Sequence, residues 1–290
     1  MNIGDWANFW GELQRKLVSG DRSSRSTIRR AINVGSRVAT VESLESSLER
    51  ARELDVTELA AAVESIGFDC THCGACCRAD PGCPSSTAEK TNDSKPQCED
   101  SPEQRRGEEA EPHTATLFPD EVRSILENAT ATTDWRDVAR PTPFGLTESA
   151  DGRPTGETFE WALQTDACGD CVFFDADRSH TGGCTIHPDR PLICQTYPFS
   201  VDLAGTTQPL GEPVDDAGVV RAHECEGLGR EISRADAETM ARTLKARAIR
   251  ELEEAIAVRD NYVPADPEPV EVVVHDSEGA KRSDGTPYDR

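Results

Sequence analysis

The sequence predicts an α+β domain, small, irregular and cysteine-rich, with helices on both flanks. Three observations carry that reading. Apolar residues recur at helical spacing near both ends of the chain, over 41–66 and 233–259. Between them lie short turn-bounded stretches, among them Phe159, Trp161 and Leu163, which alternate as a strand does. The chain also carries 11 cysteines, most of them in short groups beside Gly, β-branched or turn residues. That setting is typical of metal knuckles, so metal is expected to nucleate the domain.

Composition narrows the function classes. The 290 residues suffice to bury a core, but hydrophobic residues are only 36% and aromatics 5%, so part of the chain is expected to be loop or tail. The net charge is −23, and only five of the 31 basic residues are lysine. An acidic, lysine-poor surface suits a cytosol at molar salt, where the Debye length is about 3 Å and surface carboxylates barely repel one another. A halophilic source is therefore expected; the other reading is an acidic protein made for a basic partner. General nucleic-acid binding, which needs a basic footprint, is disfavoured. The N-terminus has no apolar h-region or small-residue cleavage site, and no run of about 18 apolar residues exists. A cytoplasmic protein without a transmembrane segment is expected. In that reducing compartment cysteines are metal ligands more often than disulfides.

Taken in order, residues 1–39 form a basic extension in which Trp6, Phe9, Trp10, Leu13 and Leu17 fall at helical spacing. It reads as a dispensable extension, with a membrane-surface or partner-binding helix as the alternative. Residues 40–78 are a helical lead-in and the first cysteine knuckle. Leu44, Leu48 and Ala51 make one apolar stripe; Asp55 and Glu58 offer a capping box before Leu59, Ala62, Val63 and Ile66, and Gly67 ends the helix. Residues 79–113 are polar and acidic and read as a disordered insertion, with Cys83 and Cys98 as free thiols. Residues 114–262 hold the rest of the cysteine domain. Pro119 opens a helix whose face is Val122, Ile125 and Leu126, and a long C-terminal helix starts at Ser233 with Met240, Leu244, Ile249, Leu252 and Ile256 on one side. Residues 263–290 are a polar tail with one apolar run, Val270 to Val274, expected to dock as an edge strand.

The cysteines carry the chemistry. Cys70, Cys73 and Cys76 repeat every three residues, so their thiolates can converge if the backbone turns tightly, and Gly74 permits such a turn. Cys77 follows directly. Adjacent side chains diverge, so Cys77 is expected to serve a second ion or a bridge. The second block contains Cys168, Cys171, Cys184 and Cys194, and Cys225 follows within His223-Glu-Cys225-Glu-Gly227. Soft thiolates suit zinc, copper(I) or iron–sulfur clusters. No Ser/His/Asp arrangement, phosphate loop or dinucleotide motif is present.

The pattern Cys-x2-Cys-Gly-x-Cys-Cys, then Cys-hydrophobic-Phe, then Cys-Thr-Ile-x5-Arg-Pro-x2-Cys-x2-Tyr-Pro-Phe, then a late Cys, resembles the YkgJ-type cysteine-cluster family of zinc- or iron-chelating or iron–sulfur domains. The resemblance covers roughly residues 64–78 and 114–230. It implies ligands at Cys70, Cys73, Cys76, Cys77, Cys171, Cys184, Cys194 and Cys225, with Cys168 as a ninth, and family positions at Arg190, Pro191, Tyr197, Pro198 and Phe199. Three departures stand out: the long insertion, His187 where an aromatic often stands, and Gln195 where Arg is common. An Arg there would balance thiolate charge. A related cluster occurs in flagellin lysine methylating enzymes, so an accessory role in a methyl-transfer system is a further alternative beside a redox protein with an iron–sulfur cluster. No protein partner is indicated.

The remaining candidates have plainer readings. His72, His187 and His223 are near cysteines but are expected to be packing or exposed histidines, and His113 and His180 loop residues. Pro191 is expected to set the turn between Cys184 and Cys194, Arg190 to offset thiolate charge, and Tyr197-Pro-Phe199 to pack over the site. Eight or nine thiolates fit two four-ligand sites or one polynuclear cluster.

Overall fold

The computed structural model describes residues 43–78, 113–130, 132–149, 151–175, 183–203 and 213–289. The basic extension, nearly all of the acidic insertion with Cys83 and Cys98, and His180 lie outside the described residues.

Helix α1 (Leu44–Glu53) is capped by Ser43, whose hydroxyl accepts from the Ser46 N–H. Helix α2 (Val56–Ile66) starts at Asp55, whose carboxylate accepts from the Thr57 and Glu58 N–H groups at 2.6 and 3.2 Å, and stops where the Gly67 N–H returns to the Val63 carbonyl. Strand β1 (Thr116–Leu117) leads into α3 (Pro119–Asn128), where Glu121 closes a box on the Phe118 N–H. A short α4 (Trp135–Val138) is followed by β2 (Ala139–Pro141), β3 (Thr147–Glu148), β4 (Pro154–Thr158) and β5 (Trp161–Leu163). Beyond the second cysteine block come α5 (Leu192–Thr196), β6 (Phe199–Val201), β7 (Asp215–Ala217) and β8 (Val220–Ala222). The chain then enters α6 (Arg234–Asn261), capped by Ser233, and ends in β9 (Val272–Asp276) and β10 (Gly279–Arg282).

These elements form a mixed α+β fold with three small sheets, ordered β1-β5-β2, β10-β9-β4-β3 and β6-β8-β7. Two hydrophobic cores stand side by side. One joins α1, α2 and α6 to Phe199, Val201, Val220 and Ala222 of the β6–β8 ladder. The inner face of α6 is built largely from Ala237, Ala241, Leu244, Ala248 and Leu252, while Met240, Ile249 and Ile256 flank it. Small residues there let the helix axes approach closely. Arg247 is buried in the same face; its guanidinium donates to Thr196 Oγ1 at 2.8 Å and to the Phe199 carbonyl, tying α6 to the end of α5. The second core gathers Leu117, Val122, Ile125, Val138, Trp161 and Leu163, and Cys77, Cys171 and Cys194 lean on it.

The segment expected as a polar tail with an edge strand is instead a hairpin whose first strand is internal. β9 pairs parallel with β4, Gly156 opposite Val272, and antiparallel with β10, and every β9 residue is buried. Its polar residues are paired, some with partners distant in sequence. His275 Nε2 lies 2.7 Å from Glu157 Oε2. Asp276 Oδ2 accepts from the Trp161 indole at 2.9 Å and from Lys281 Nζ at 2.7 Å. Lys281 also reaches Glu278, on which Arg123 forks at 2.6 and 3.1 Å; these cations hold the Glu278 carboxyl down at about 2. The hairpin is thereby fastened to the core that backs the cysteines.

Candidate metal centre

The first knuckle begins where α2 ends. After Gly67 the chain runs through Phe68 and Asp69 to Cys70, and a single turn of 3-10 helix over Ala75–Cys77 closes with Cys77 N–H to the Gly74 carbonyl at 2.9 Å. Gly74 is left-handed, φ +74°, and a Cβ there would lie 2.1 Å from Cε2 of Phe174. Two physical constraints thus require glycine, the backbone angle and the ring packed on it. Arg78 stacks over that ring, 4.8 Å from its centroid.

The second block is fastened to this knuckle by backbone. The Cys171 N–H donates to the Cys77 carbonyl at 2.8 Å, and isolated bridges pair Thr165 with Cys171 and Phe174 with Cys184. Cys194 lies on α5, whose first N–H, from Leu192, is accepted by Glu121 of α3 at 2.8 Å. Pro191 precedes that helix as its N-cap. Cys225 arrives from the other side. The Phe68–Leu228 bridge, the Asp69 N–H to Gly227 carbonyl bond and the Gly229 N–H to Gly67 carbonyl bond lay its loop against the start of the knuckle. A Cβ on Gly227 would sit 2.5 Å from the Asp69 carbonyl oxygen, so the two segments could not close with any other residue there. The Gly227 N–H points at Cys225 Sγ at 3.4 Å.

Eight described cysteines, Cys70, Cys73, Cys76, Cys77, Cys171, Cys184, Cys194 and Cys225, are free thiols. Cys168 differs: it is disulfide-bonded and offers no thiolate. Adjacency does not separate Cys76 from Cys77 as expected from sequence. The tight 3-10 turn brings their sulfurs to 4.0 Å. Two thiolates on one tetrahedral zinc, each at about 2.3 Å, stand about 3.8 Å apart.

Electrostatics ranks the thiols. Contact with Cys77, aided by Arg190, lowers Cys76, whereas contact with Cys76 and then burial push Cys77 well up. Burial is the main cause for the others: Cys171 rises to about 11, and Cys184, Cys194 and Cys225 also rise. The Arg190 charge opposes this at Cys76, Cys184 and Cys194, the compensating role expected of it. Neighbouring thiolates add to the rise, so the sulfurs feel one another across four chain segments.

The histidines divide. His72 adopts φ +56°, with Nδ1 3.8 Å from Cys70 Sγ and its ring 5.9 Å from that of His187. His223 is buried, with Nε2 2.9 Å from Ser200 Oγ, and serves packing. His113 is a loop residue, as expected, but one that is held in place: its N–H bonds to the Gly169 carbonyl, its own carbonyl accepts from Arg140, and burial lowers its pKa to about 4. Tyr197 donates from its hydroxyl to the Glu224 carbonyl beside Cys225, and Phe199 is wholly buried edge-on to Phe68 at 5.6 Å. Phe174 and Gly227 have structural roles that the cysteine spacing did not single out; for Phe174 the signal was its place three residues after Cys171.

The donor set is all sulfur and soft, which fits zinc or iron. One pair already stands at ligand separation. Among the described residues, however, no group of three or more His, Cys, Asp or Glu side chains is already closed around a single point. The residues therefore fit a thiophilic metal in type and number, and ligation requires the thiols to lose protons and draw together. No helix among the described residues is long and apolar enough to cross a membrane.

Compared with known families, residues 69–226, more than half of the chain, match the family CxxCxxCC, described as a "putative zinc- or iron-chelating domain". No curated protein and no solved structure matches the chain.

Proposed function

Because the chain belongs to the CxxCxxCC family of zinc- or iron-chelating domains, we propose that it binds zinc or iron through Cys70, Cys73, Cys76, Cys77, Cys171, Cys184, Cys194 and Cys225. One observation carries this reading: backbone bonds and bridges between four separate stretches of chain bring their free thiols to one region of the fold. A bound ion would cross-link those stretches and contribute folding free energy, as in small zinc domains. The chain's own residues prepare the site. Gly74 and Gly227 allow the close turns, Arg190 favours thiolate at three sulfurs, and the Cys225 thiolate accepts from the Gly227 N–H. The net charge of −23 supports a high-salt cytoplasm as the working environment.

Elemental analysis and a visible spectrum on protein purified without oxygen test this reading. Bound zinc in a colourless protein, or iron with or without labile sulfide in a coloured one, agrees with it and chooses the metal. The Cys73→Ser variant is expected to hold less metal, and Cys98→Ser as much as the unaltered chain. Equal loss from both variants would bring the insertion into the site and overturn the assignment.

A further inference from the structure

The eight thiols do not share one environment. Cys77, Cys171 and Cys194 lie in or against the second core, Cys171 buried and the other two half-buried, and the half-buried Cys184 is joined to that core by its bridge to Phe174. Cys70, Cys73 and Cys76 are exposed, and Cys225 is half-buried beside them. Separate backbone joints serve the two sets. The Cys77–Cys171 and Phe174–Cys184 contacts assemble the first, and the Phe68–Leu228 and Asp69–Gly227 contacts assemble the second. Cys76 belongs to the exposed set, yet its sulfur is 4.0 Å from Cys77, at the junction.

The exposed set also opens outward. Cys70 and Arg190 line a cleft of about 350 Å³ together with Phe68, Asp69, Glu231 and Met240. Water and a small competing ligand can reach the exposed Cys70 and Cys73, whereas Cys171 is buried and Cys194 half-buried at the second core.

We propose that the centre is two four-thiol sites in contact: an inner site of Cys77, Cys171, Cys184 and Cys194 that retains its ion, and an outer site of Cys70, Cys73, Cys76 and Cys225 that exchanges its ion with external thiol or chelator ligands. The inference rests on the metal-binding reading above. Exchange is plain ligand substitution. An incoming thiolate or chelator donor replaces one cysteine thiolate at a time, the freed cysteine takes a proton from water, and no electron is transferred. Exchange is slower at the inner site because Cys171 is buried and its three partners are half-buried, none of them exposed as Cys70, Cys73 and Cys76 are, so a thiolate released there enters a less polar setting.

The test loads the reduced, full-length chain with zinc and mixes it with an excess of a chromogenic zinc chelator. Two zinc ions per chain are expected, released in two phases of equal amplitude whose rates differ by at least tenfold. In Cys225→Ser the fast phase should vanish and one slowly released ion remain; Cys70→Ser, at an exposed position, should do the same and serves where Cys225→Ser does not fold. Two ions leaving in a single phase, a single ion per chain, or loss of both ions from a folded Cys70→Ser protein would each overturn the division while leaving metal binding intact. No bound zinc at all would instead remove the reading beneath it.

Discussion

Asp276→Ala is expected to destabilise the folded chain by roughly 3–5 kcal/mol, the usual cost of breaking a buried pair from one side. The carboxylate is 2% exposed. One oxygen accepts from the Trp161 indole and from the Lys281 ammonium, and the other from the Glu278 N–H. Truncation leaves a buried indole N–H without its acceptor and an almost buried ammonium dependent on Glu278 alone. Trp161 is the largest fully buried side chain among the described residues and belongs to the core that backs Cys77, Cys171 and Cys194, so loosening it also loosens the inner thiols. Asp276→Asn keeps an acceptor for the indole and should cost less. The double variant Asp276→Asn, Lys281→Met removes both charges and should recover part of the loss. Denaturant unfolding of the three variants measures this. A single Asp276→Ala variant within about 0.5 kcal/mol of the unaltered chain, the range of an ordinary surface change, would contradict the placement of the hairpin.

Gly74→Ala is expected to abolish or strongly reduce metal loading while leaving the helical core folded. Alanine at this left-handed position costs roughly 1–2 kcal/mol from the backbone alone. The larger effect is steric, since the new methyl would overlap Phe174, whose ring cannot yield freely between Arg78 and the bridge to Cys184. Displacing it parts the knuckle from the second cysteine block. Gly152→Ala is the control: it shares a positive φ of +76°, but nothing lies within 4 Å of the added carbon. It carries the backbone cost without the collision and should load metal normally. Helix content by circular dichroism, set beside bound metal per chain, separates the two effects. Normal loading of Gly74→Ala would show that the contact between Gly74 and Phe174 does not set the site.

Much of this architecture can be read from local pattern. The caps at Asp55 and Ser233, the stop at Gly67 and the start at Pro119 are encoded within a few residues and appear in the structure where the spacing puts them. What escaped is non-local or ambiguous. Val270 to Val274 gives no sign of its parallel partner β4, more than 100 residues earlier, and its flanking charges resemble a solvated tail until Trp161, Arg123 and Lys281 pair with them. The alanines of α6 are weak signals, because alanine suits buried and exposed faces alike. At the site, the cysteine groups were legible from spacing, but the closeness of Cys76 and Cys77 depends on the 3-10 turn after Gly74, and the grouping of the other thiols on contacts that bring residue 225 to residue 70.

X-ray absorption at the metal edge of the purified, full-length protein tests the central claim most directly. Cysteine ligation predicts a first shell of about four sulfur scatterers per metal at about 2.3 Å, reduced in Cys73→Ser and unchanged in Cys98→Ser. A first shell dominated by nitrogen or oxygen at about 2.0–2.1 Å would contradict it, because the thiols gathered from four stretches of this chain would then not be what holds the ion.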